Sequence, residues 1–473
     1  MTNYSLENLD QLHGFQIDAY LVALQGWQRS LQLKFHTRRP RDVYFAKDTI
    51  PNEFPGVVFT LSDGNTSHTF YRTRGDKTST TAIDLCADKL LFKRHLESRN
   101  INTPTGEMFH IESIEDIVKY AGTAGYPLVL KPASGSMGRG VTANIKTKEE
   151  LTSAIYTLQE NFPEYKQVIV ETYFHGEDYR VYVVGEEMVA AYTRDVARIT
   201  GDGQSTVQAL IDKTNTRRKS NPNTRNKLIR IDHDLMHHLK LQDVGLEDVI
   251  PNGQEIKLRS IPNISLGGNP KDVTSTLPLN IEESVITAVQ SIDGLPNAGV
   301  DVLVNSEGEF TIIEMNSVAV VTSHVFPIEG DAIDVPAHII DYYFPETTHK
   351  KRVSQTFDYG HVIESLAMGL YDSIAIKPVN HNIESCVNLS FQSTVGWISP
   401  KSVQAMLQMY DFHGEISREG NSYTLKITAE ATLTMDKLIE RLKQRFLIKN
   451  VKLENALTSI THTGIHIKND VPN

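Results

Sequence analysis

A lysine that ends an apolar run and enters a loop with almost no side chains is equipped to hold phosphate. Residues 127–141 read PLVLKPASGSMGRGV: the apolar run ends at Lys131, and Ser134, Gly135, Ser136, Gly138 and Gly140 follow before apolar residues resume. Small residues let backbone N–H groups approach an anion unobstructed, and the lysine adds a point charge. The G-x-x-x-x-G-K-[ST] spacing of a Walker loop is absent. A second constellation is GVDVLVNSEGEFTIIEMN, residues 299–316, where Asp301 leaves one strand-like run and Glu314 and Asn316 sit two apart on the next. Residues i and i+2 share a strand face, so Asp301, Glu314 and Asn316 can present oxygen to one spot. Hard oxygen donors without histidine or cysteine suit Mg²⁺ bridging phosphates. A third is VIVETYFHGEDYRV, residues 168–181, where a strand-like run ends at Glu171 and Asp178 follows. A nucleotide base docks where a strand ends, and a nearby carboxylate accepts from ribose hydroxyls. Taken singly, each has a plainer reading: a glycine turn, solvated acids at strand ends, an ordinary hairpin.

The elements that must position these groups follow from periodicity. Residues 88–99, DKLLFKRHLESR, carry apolar residues at helical spacing, and VYFAKD (43–48) and VVFTLS (57–62) read as strands, so the first hundred residues form a small α/β unit. PLVLK is a buried strand, and KEELTSAIYTLQENF (148–162) is an amphipathic helix with Thr147 and Glu150 as a capping box. QVIVETYF (167–174) is a strand, and YRVYVVG and EMVAAYTRD pair across a Gly185-Glu186 turn. AGVDVLVN and EFTIIEMN follow as two strands, and PAHIIDYYFP (336–345) is a closing helix. A polar linker covers 346–356, after which the chain runs β-α-β-β-α: CVNLSFQ, SVQAMLQMYDFH, GEISR, SYTLKITAE and MDKLIERLKQRF. That order predicts a small α+β sandwich of ferredoxin-like kind, without a motif that carries chemistry.

Composition sets the frame. At 473 residues, two to four domains are expected. A hydrophobic fraction of 40% with 22% charged residues is that of a soluble globular chain. No segment has the ~18 unbroken apolar residues of a membrane span, and the opening MTNYSLENLDQLHG lacks the basic and apolar regions of a secretory leader. Cys86 and Cys386 are the only cysteines, which excludes a disulfide scaffold and a cysteine-based zinc cluster and fits the cytoplasm. A net charge of −11 argues against nucleic acid or anionic membrane as partner. The local exception, TNTRRKSNPNTRNK (214–227), reads as a solvated loop or as a mobile flap that neutralises phosphate or a carboxylate.

The order DK…YPLVLKP…VIVE-x6-D…GVDV…IEMN resembles that of an ATP-grasp ligase, over residues 81–344. RDVARITGDGQSTVQALID (194–212), LRSIPNISLGGNPKDVT (258–274) and VPAHIIDYYFP (335–345) are most similar to the ATP-grasp module of cyanophycin synthetases and bifunctional glutathione synthetases. The resemblance implies an α/β (α+β) ATP-grasp fold with an N-terminal α/β unit (1–105), a nucleotide lid (106–200), a metal and substrate subdomain (201–345) and a C-terminal α+β domain (357–473). It implies that Lys89 and Lys131 hold ATP phosphates under a flap containing Gly135, Ser136, Gly138 and Gly140. Glu171, Thr172 and Phe174 would border adenine, Asp178 would take the ribose, and Asp301, Glu314 and Asn316 would hold Mg²⁺. Arg259, Asn263, Gly267 and Gly268 would face the acyl phosphate and acceptor, with Arg180, Arg194, Ser323 and His324 as substrate residues. The implied activity is ATP-dependent amide formation between a small-molecule carboxylate and an amine through an acyl phosphate, with release of ADP and phosphate. A phosphotransferase and a nucleotide-binding regulator are the alternatives.

Three departures stand out. Gly299 occupies the place where D-alanine–D-alanine ligases carry an arginine, so Arg259 is expected to supply that charge. The turn after Asn316 is Ser317-Val318-Ala319-Val320, without the Pro-Gly of many relatives, which alters the acceptor loop 320–330. Nothing after residue 356 has a Walker loop, so a stand-alone ligase is expected, its C-terminal domain making a homo-oligomer.

Overall fold

The computed structural model describes residues 9, 12, 14–37, 55–135, 138–259, 262–348, 356–369, 371–379, 386–394, 396–410, 412–428, 434–455 and 465–467. The strand expected over 43–48 lies outside them. The chain divides into two compact units, one of Met1–Arg39, Phe54–Thr69 and Phe344–Asn473, the other of Pro40–Glu53 and Phe70–Tyr343.

The second unit carries the candidate chemistry. Its central sheet runs in the order Pro270–Asp272, Glu187–Arg194, Glu177–Val184, Asn297–Val304, Phe310–Asn316, all antiparallel. Alternation sorts its residues by face. Val181, Val183, Ala191, Ala298, Val300, Val302 and Met315 join the core formed with the helices Thr80–Ala87, Lys89–Glu97 and Leu279–Gln290. Asp178, Arg180, Tyr182, Tyr192, Arg194, Gly299 and Asp301 therefore fall on the opposite face. The expected hairpin is present, with Gly185 turning at φ +60° between Val184 and Glu187.

A second antiparallel sheet, in the order Gly106–His110, Gln167–Thr172, Leu128–Pro132, Thr142–Ile145, packs against the helices Ile114–Ala124 and Lys148–Asn161. Thr147 caps the latter by accepting from the Glu150 N–H at 3.1 Å. The other half of the expected capping box shifts by one residue: Glu150 accepts from the Lys146 N–H at 2.6 Å instead of that of Thr147. A third core, with Ile199, Leu210, Leu235, Leu239 and Ile256, joins the helices Val207–Lys219 and His233–Leu241 to the strands Arg198–Thr200 and Glu255–Lys257.

The first unit has two parts. In one, the helix Gly14–Gln28 and the helix Tyr359–Ala367 lie with strands Ser373–Ile376, Gln32–His36 and Val58–Ser62. Aromatic rings fill it: Tyr20 stacks on Tyr359 with centroids 5.2 Å apart, and Phe35 meets Phe59 at 5.7 Å. In the other, Ile448–Asn455, Cys386–Ser393, Ser422–Thr428 and His413–Glu419 pair antiparallel in that order, the 4-1-3-2 order of a ferredoxin-like sandwich. Helices Pro400–Met409 and Met435–Phe446 supply the core residues Val403, Leu407, Leu438 and Leu442.

The Thr147 cap gives a direct check of helix registration. Thr147→Ala should lower stability by about 1 kcal/mol in chemical denaturation, and Thr147→Ser should recover most of it.

Candidate functional site

Antiparallel pairing brings the first cluster together. Glu171 lies opposite Val129 in the register of Gln167–Thr172 with Leu128–Pro132, so Lys131, two residues on, is its diagonal neighbour on the same face. Lys131 Nζ donates to Glu171 Oε1 at 2.7 Å. Lys93, one turn after Lys89 on the helix Lys89–Glu97, donates to Glu171 Oε2. The side chains of Lys93 and Glu171 are 1% and 5% exposed, so this carboxylate is neutralised by direct ammonium contact rather than by water. Room for it comes from Gly106 on the adjoining strand, where a Cβ would lie 2.7 Å from the Glu171 Cβ. Burial raises the Glu171 pKa, but the ammonium groups of Lys131 and Lys93 outweigh it and leave the pKa lowered. Burial, with Lys131 beside it, pulls Lys93 down to about 8.

Lys89 links this cluster to the glycine loop and to the second sheet. Asp88 caps its helix, accepting from the Leu90 and Leu91 N–H groups at 3.0 and 2.9 Å. Lys89 Nζ donates to the Gly135 carbonyl at 3.2 Å. Burial lowers its pKa, and Glu314, Lys131 and Glu171 are all near enough to act on its charge. Gly135, Gly138 and Gly140 have φ of +129°, +73° and +71°, backbone that side-chain-bearing residues rarely adopt. Ser136 lies outside the described residues.

The second cluster sits on the outward face of the central sheet. Asp301 lies between Arg180 on one neighbouring strand and Glu314 on the other. Arg180 grips the Asp301 carboxylate with both Nε and Nη2, the latter at 2.8 Å. Arg194 Nη2 donates to the same carboxylate at 2.8 Å, and its Nη1 to Asp178 Oδ2 at 2.9 Å. Burial raises the Asp301 pKa, but the two guanidinium groups outweigh it and hold the pKa low. Burial and the nearby Asp301 charge push Asp178 up to about 6 against the pull of Arg194. Among the described residues Asp178 Oδ1 is buried with no hydrogen-bond partner. On this same face His324 is 2% exposed, packed edge-on to Tyr192 and Tyr182 with centroids 4.7 and 5.7 Å away. Among the described residues neither ring nitrogen has a hydrogen-bond partner. Burial, then Arg180 and Arg194, push its pKa down to about 3, so the ring is neutral.

For a divalent cation the donor set fits Mg²⁺. Among the described residues no group of three or more His, Cys, Asp or Glu could hold a metal. Glu314 and Asn316 alternate onto one face and make no side-chain hydrogen bond or ion pair with the described residues. Asp301 pairs in register with Glu314, but its oxygens are shared with two arginines.

Other expected residues are placed elsewhere. Arg259 is bound by Asp232 (2.6 and 2.7 Å), by Asp234 (2.8 Å) and by the Arg230 carbonyl (2.9 Å), and none of its hydrogen bonds reaches Lys131 or Asp301. Asn263 caps the short helical turn Ile264–Leu266, accepting from the Ser265 N–H at 2.8 Å. Gly267 turns with φ +99°, and a Cβ at Gly268 would lie 2.3 Å from the Asp195 carbonyl. Ser323 is buried and donates to Asn223 Oδ1 at 3.4 Å. Thr172 donates its N–H to the Thr105 carbonyl at 2.9 Å. Phe174 lines a 510 Å³ surface cleft with Asn102 and Phe310.

Sequence reasoning missed Lys93 and Arg218. The flap reading of 214–227 fails at Arg218, which is 1% exposed within the helix Val207–Lys219. Its guanidinium donates to the carbonyls of Lys227 (2.9 Å), Gly267 (2.9 Å), Gly268 (3.2 Å) and Ile264 (3.2 Å), and to Asn269 Oδ1 (2.9 Å). A basic run on a polar segment conceals a buried member, because burial is decided by carbonyls some fifty residues away in sequence.

Residues 88–187 match the family described as "Carbamoyl-phosphate synthase L chain, ATP binding domain". The matched segment includes Lys89, Lys93, Lys131 and Glu171. The chain is 33% identical over 303 residues to the cyanophycin synthetase of Geminocystis herdmanii (strain PCC 6308), covering 62% of this chain and 34% of that one. With the glutathione biosynthesis bifunctional protein GshAB of Desulfotalea psychrophila it shares 28% identity over 262 residues, 54% of this chain and 33% of the other. Among solved structures, a bifunctional glutathione synthetase from Pasteurella multocida superposes with a TM-score of 0.50 at 24% identity, over 61% of this chain and 41% of that one, a likeness of fold. The chain thus spans about a third of the length of these curated relatives.

Two measurements test the site's internal electrostatics. Arg218→Met, which strands several buried carbonyls, should cost about 3 kcal/mol in denaturant unfolding and raise amide exchange across 263–269. The folded pKa of Lys93, about 8, lies below the ordinary 10.5, so the folded state releases that proton first. The stability difference between wild type and Lys93→Met should therefore shift in favour of wild type as pH rises through that window. A difference independent of pH would contradict the buried, charged Lys93.

Proposed function

We propose that this chain is an ATP-dependent carboxylate–amine ligase acting on an amino acid or small peptide. The observation that carries the reading is the position of Lys89: bonded to the glycine loop, and electrostatically in reach of Lys131, Glu171 and Glu314. Cations from the lid and a metal-type carboxylate from the central sheet converge on one place, as a magnesium-bound triphosphate requires.

The residues divide the work. Lys89 and Lys131 take the phosphates, and the loop containing Gly135, Gly138 and Gly140 lies over them. Asp178 Oδ1 accepts from a ribose hydroxyl. Glu314, Asn316 and one oxygen of Asp301 would hold Mg²⁺, which when bound neutralises phosphate charge. The substrate carboxylate attacks the γ-phosphorus and ADP leaves; the amine then attacks the acyl carbon and phosphate leaves. Charge on the transferring group is met by Arg180 and Arg194, which lie on the face that carries Asp301, whereas Arg259 is bonded to Asp232 and Asp234. A Cβ at Gly299 would come 3.1 Å from the Arg180 Cδ, so that glycine opens the space in which Arg180 lies. Neutral His324 supports Tyr182 and Tyr192 on the same face without adding charge. Arg218 shapes the 263–269 loop, where the acceptor amine is proposed to bind.

The test is ADP release by purified protein against pairs of amino acids and dipeptides, with mass spectrometry of the products. Condensed product is expected, requiring both partners. Arg180→Met should lower kcat by about 10²–10³-fold, the scale of one lost donor at a developing charge. Glu314→Ala should fall at least as far. ADP release that needs no amine would instead mark a phosphotransferase.

A further inference from the structure

Lys93 has no part in that division of work, yet it is one of the most deeply buried charges in the molecule. Its neighbours on the helix, Phe92 and Leu96, sit in the core of the central sheet. Its ammonium reaches Glu171 Oε2, while the other oxygen is held by Lys131. The two lysines differ in freedom: the Lys131 side chain is 11% exposed and that of Lys93 is 1%.

We infer that Lys93 is a positioning residue for the nucleotide base: it anchors Glu171 through Oε2, so that Lys131 can leave Oε1 for phosphate and Oε1 can accept from an exocyclic amine. The inference rests on the ATP-binding reading above. A buried carboxylate does not stay ionised without a cation in contact. If Lys131 were the sole counter-ion of Glu171, it would be retained there and withheld from the triphosphate. With Lys93 fixed beneath, Glu171 stays charged and in place after Lys131 moves. The vacated Oε1 is then an acceptor without a donor. An adenine 6-amino group supplies one, whereas the 6-oxo group of hypoxanthine turns lone pairs toward a carboxylate. Lys93 thus sets base discrimination without touching the base.

The experiment is calorimetry of the full chain with Mg-ATP and with Mg-ITP, whose base carries a 6-oxo group and an N1–H where adenine has its 6-amino group and an unprotonated N1. Wild type should prefer ATP by about tenfold or more, the scale of one charge-assisted hydrogen bond. Lys93→Met should lose ATP affinity by about tenfold, and its ATP/ITP ratio should fall to within about twofold of one. Lys93→Arg, which keeps the cation, should restore the ratio. Lys131→Met should weaken both nucleotides alike and keep the ratio, because Lys93 still holds Glu171; this variant carries the test should Lys93→Met fail to fold. A merely structural Lys93 would lower the melting temperature and leave the ratio untouched. An unchanged ratio in Lys93→Met, a wild-type ratio near one, or a lost ratio in Lys131→Met overturns the inference. Wild type that takes up neither nucleotide overturns the ligase reading itself.

Discussion

A carboxylate removed from water must have its charge met at contact distance, and Glu171 is where this chain meets that requirement most tightly. Lys131 reaches it along the sheet and Lys93 from the helix that packs beside it. The pairing therefore ties the strands Leu128–Pro132 and Gln167–Thr172 to a helix of the central-sheet core, and Gly106 yields the space that makes it possible. Lys89 then extends the same cluster to the glycine loop on one side and toward Glu314 on the other. Of the two lysines on Glu171, Lys93 is the more deeply buried, at 1% side-chain exposure against 11% for Lys131.

The outward face of the central sheet applies the same logic with guanidinium groups. Asp301 is held by two arginines from two neighbouring strands, and Arg194 also reaches Asp178. Arginine suits this place because its planar fork satisfies carboxylate oxygens in pairs and keeps its charge when buried. The result is an acid held in place by two guanidinium groups. His324 is kept neutral on that face by burial and by the same arginines.

Much of this was legible in the sequence because its signals are local. The loop after Lys131, the hairpin turning at Gly185 and the i, i+2 spacing of Glu314 and Asn316 need only short windows. The ferredoxin-like order was readable from element order alone. What escaped was set by tertiary partners. The helix Gly14–Gln28 is buried all round, from Gln16 through Gln28, so it has no polar stripe to give it a period. Arg218 looks like one more member of a solvated basic run until the carbonyls of the Ile264–Gly268 turn close on it. The partners of Arg259, Asp232 and Asp234, were equally hidden, since the start of a helix brings them to it. Lys93 reads as an ordinary helical lysine, and only the packing of its helix brings Glu171 to it.

Gly299 carries a wider lesson about how such sites can change over time. Its missing side chain leaves a space that the Ala319 methyl and the Arg180 side chain from the adjacent strand share. In an antiparallel sheet one point above the surface can be reached from either of two strands, so a needed charge belongs to a location more than to a column of an alignment. A lineage can lose the residue at one address and keep the chemistry by delivering it from next door, and comparison position by position would record only the loss.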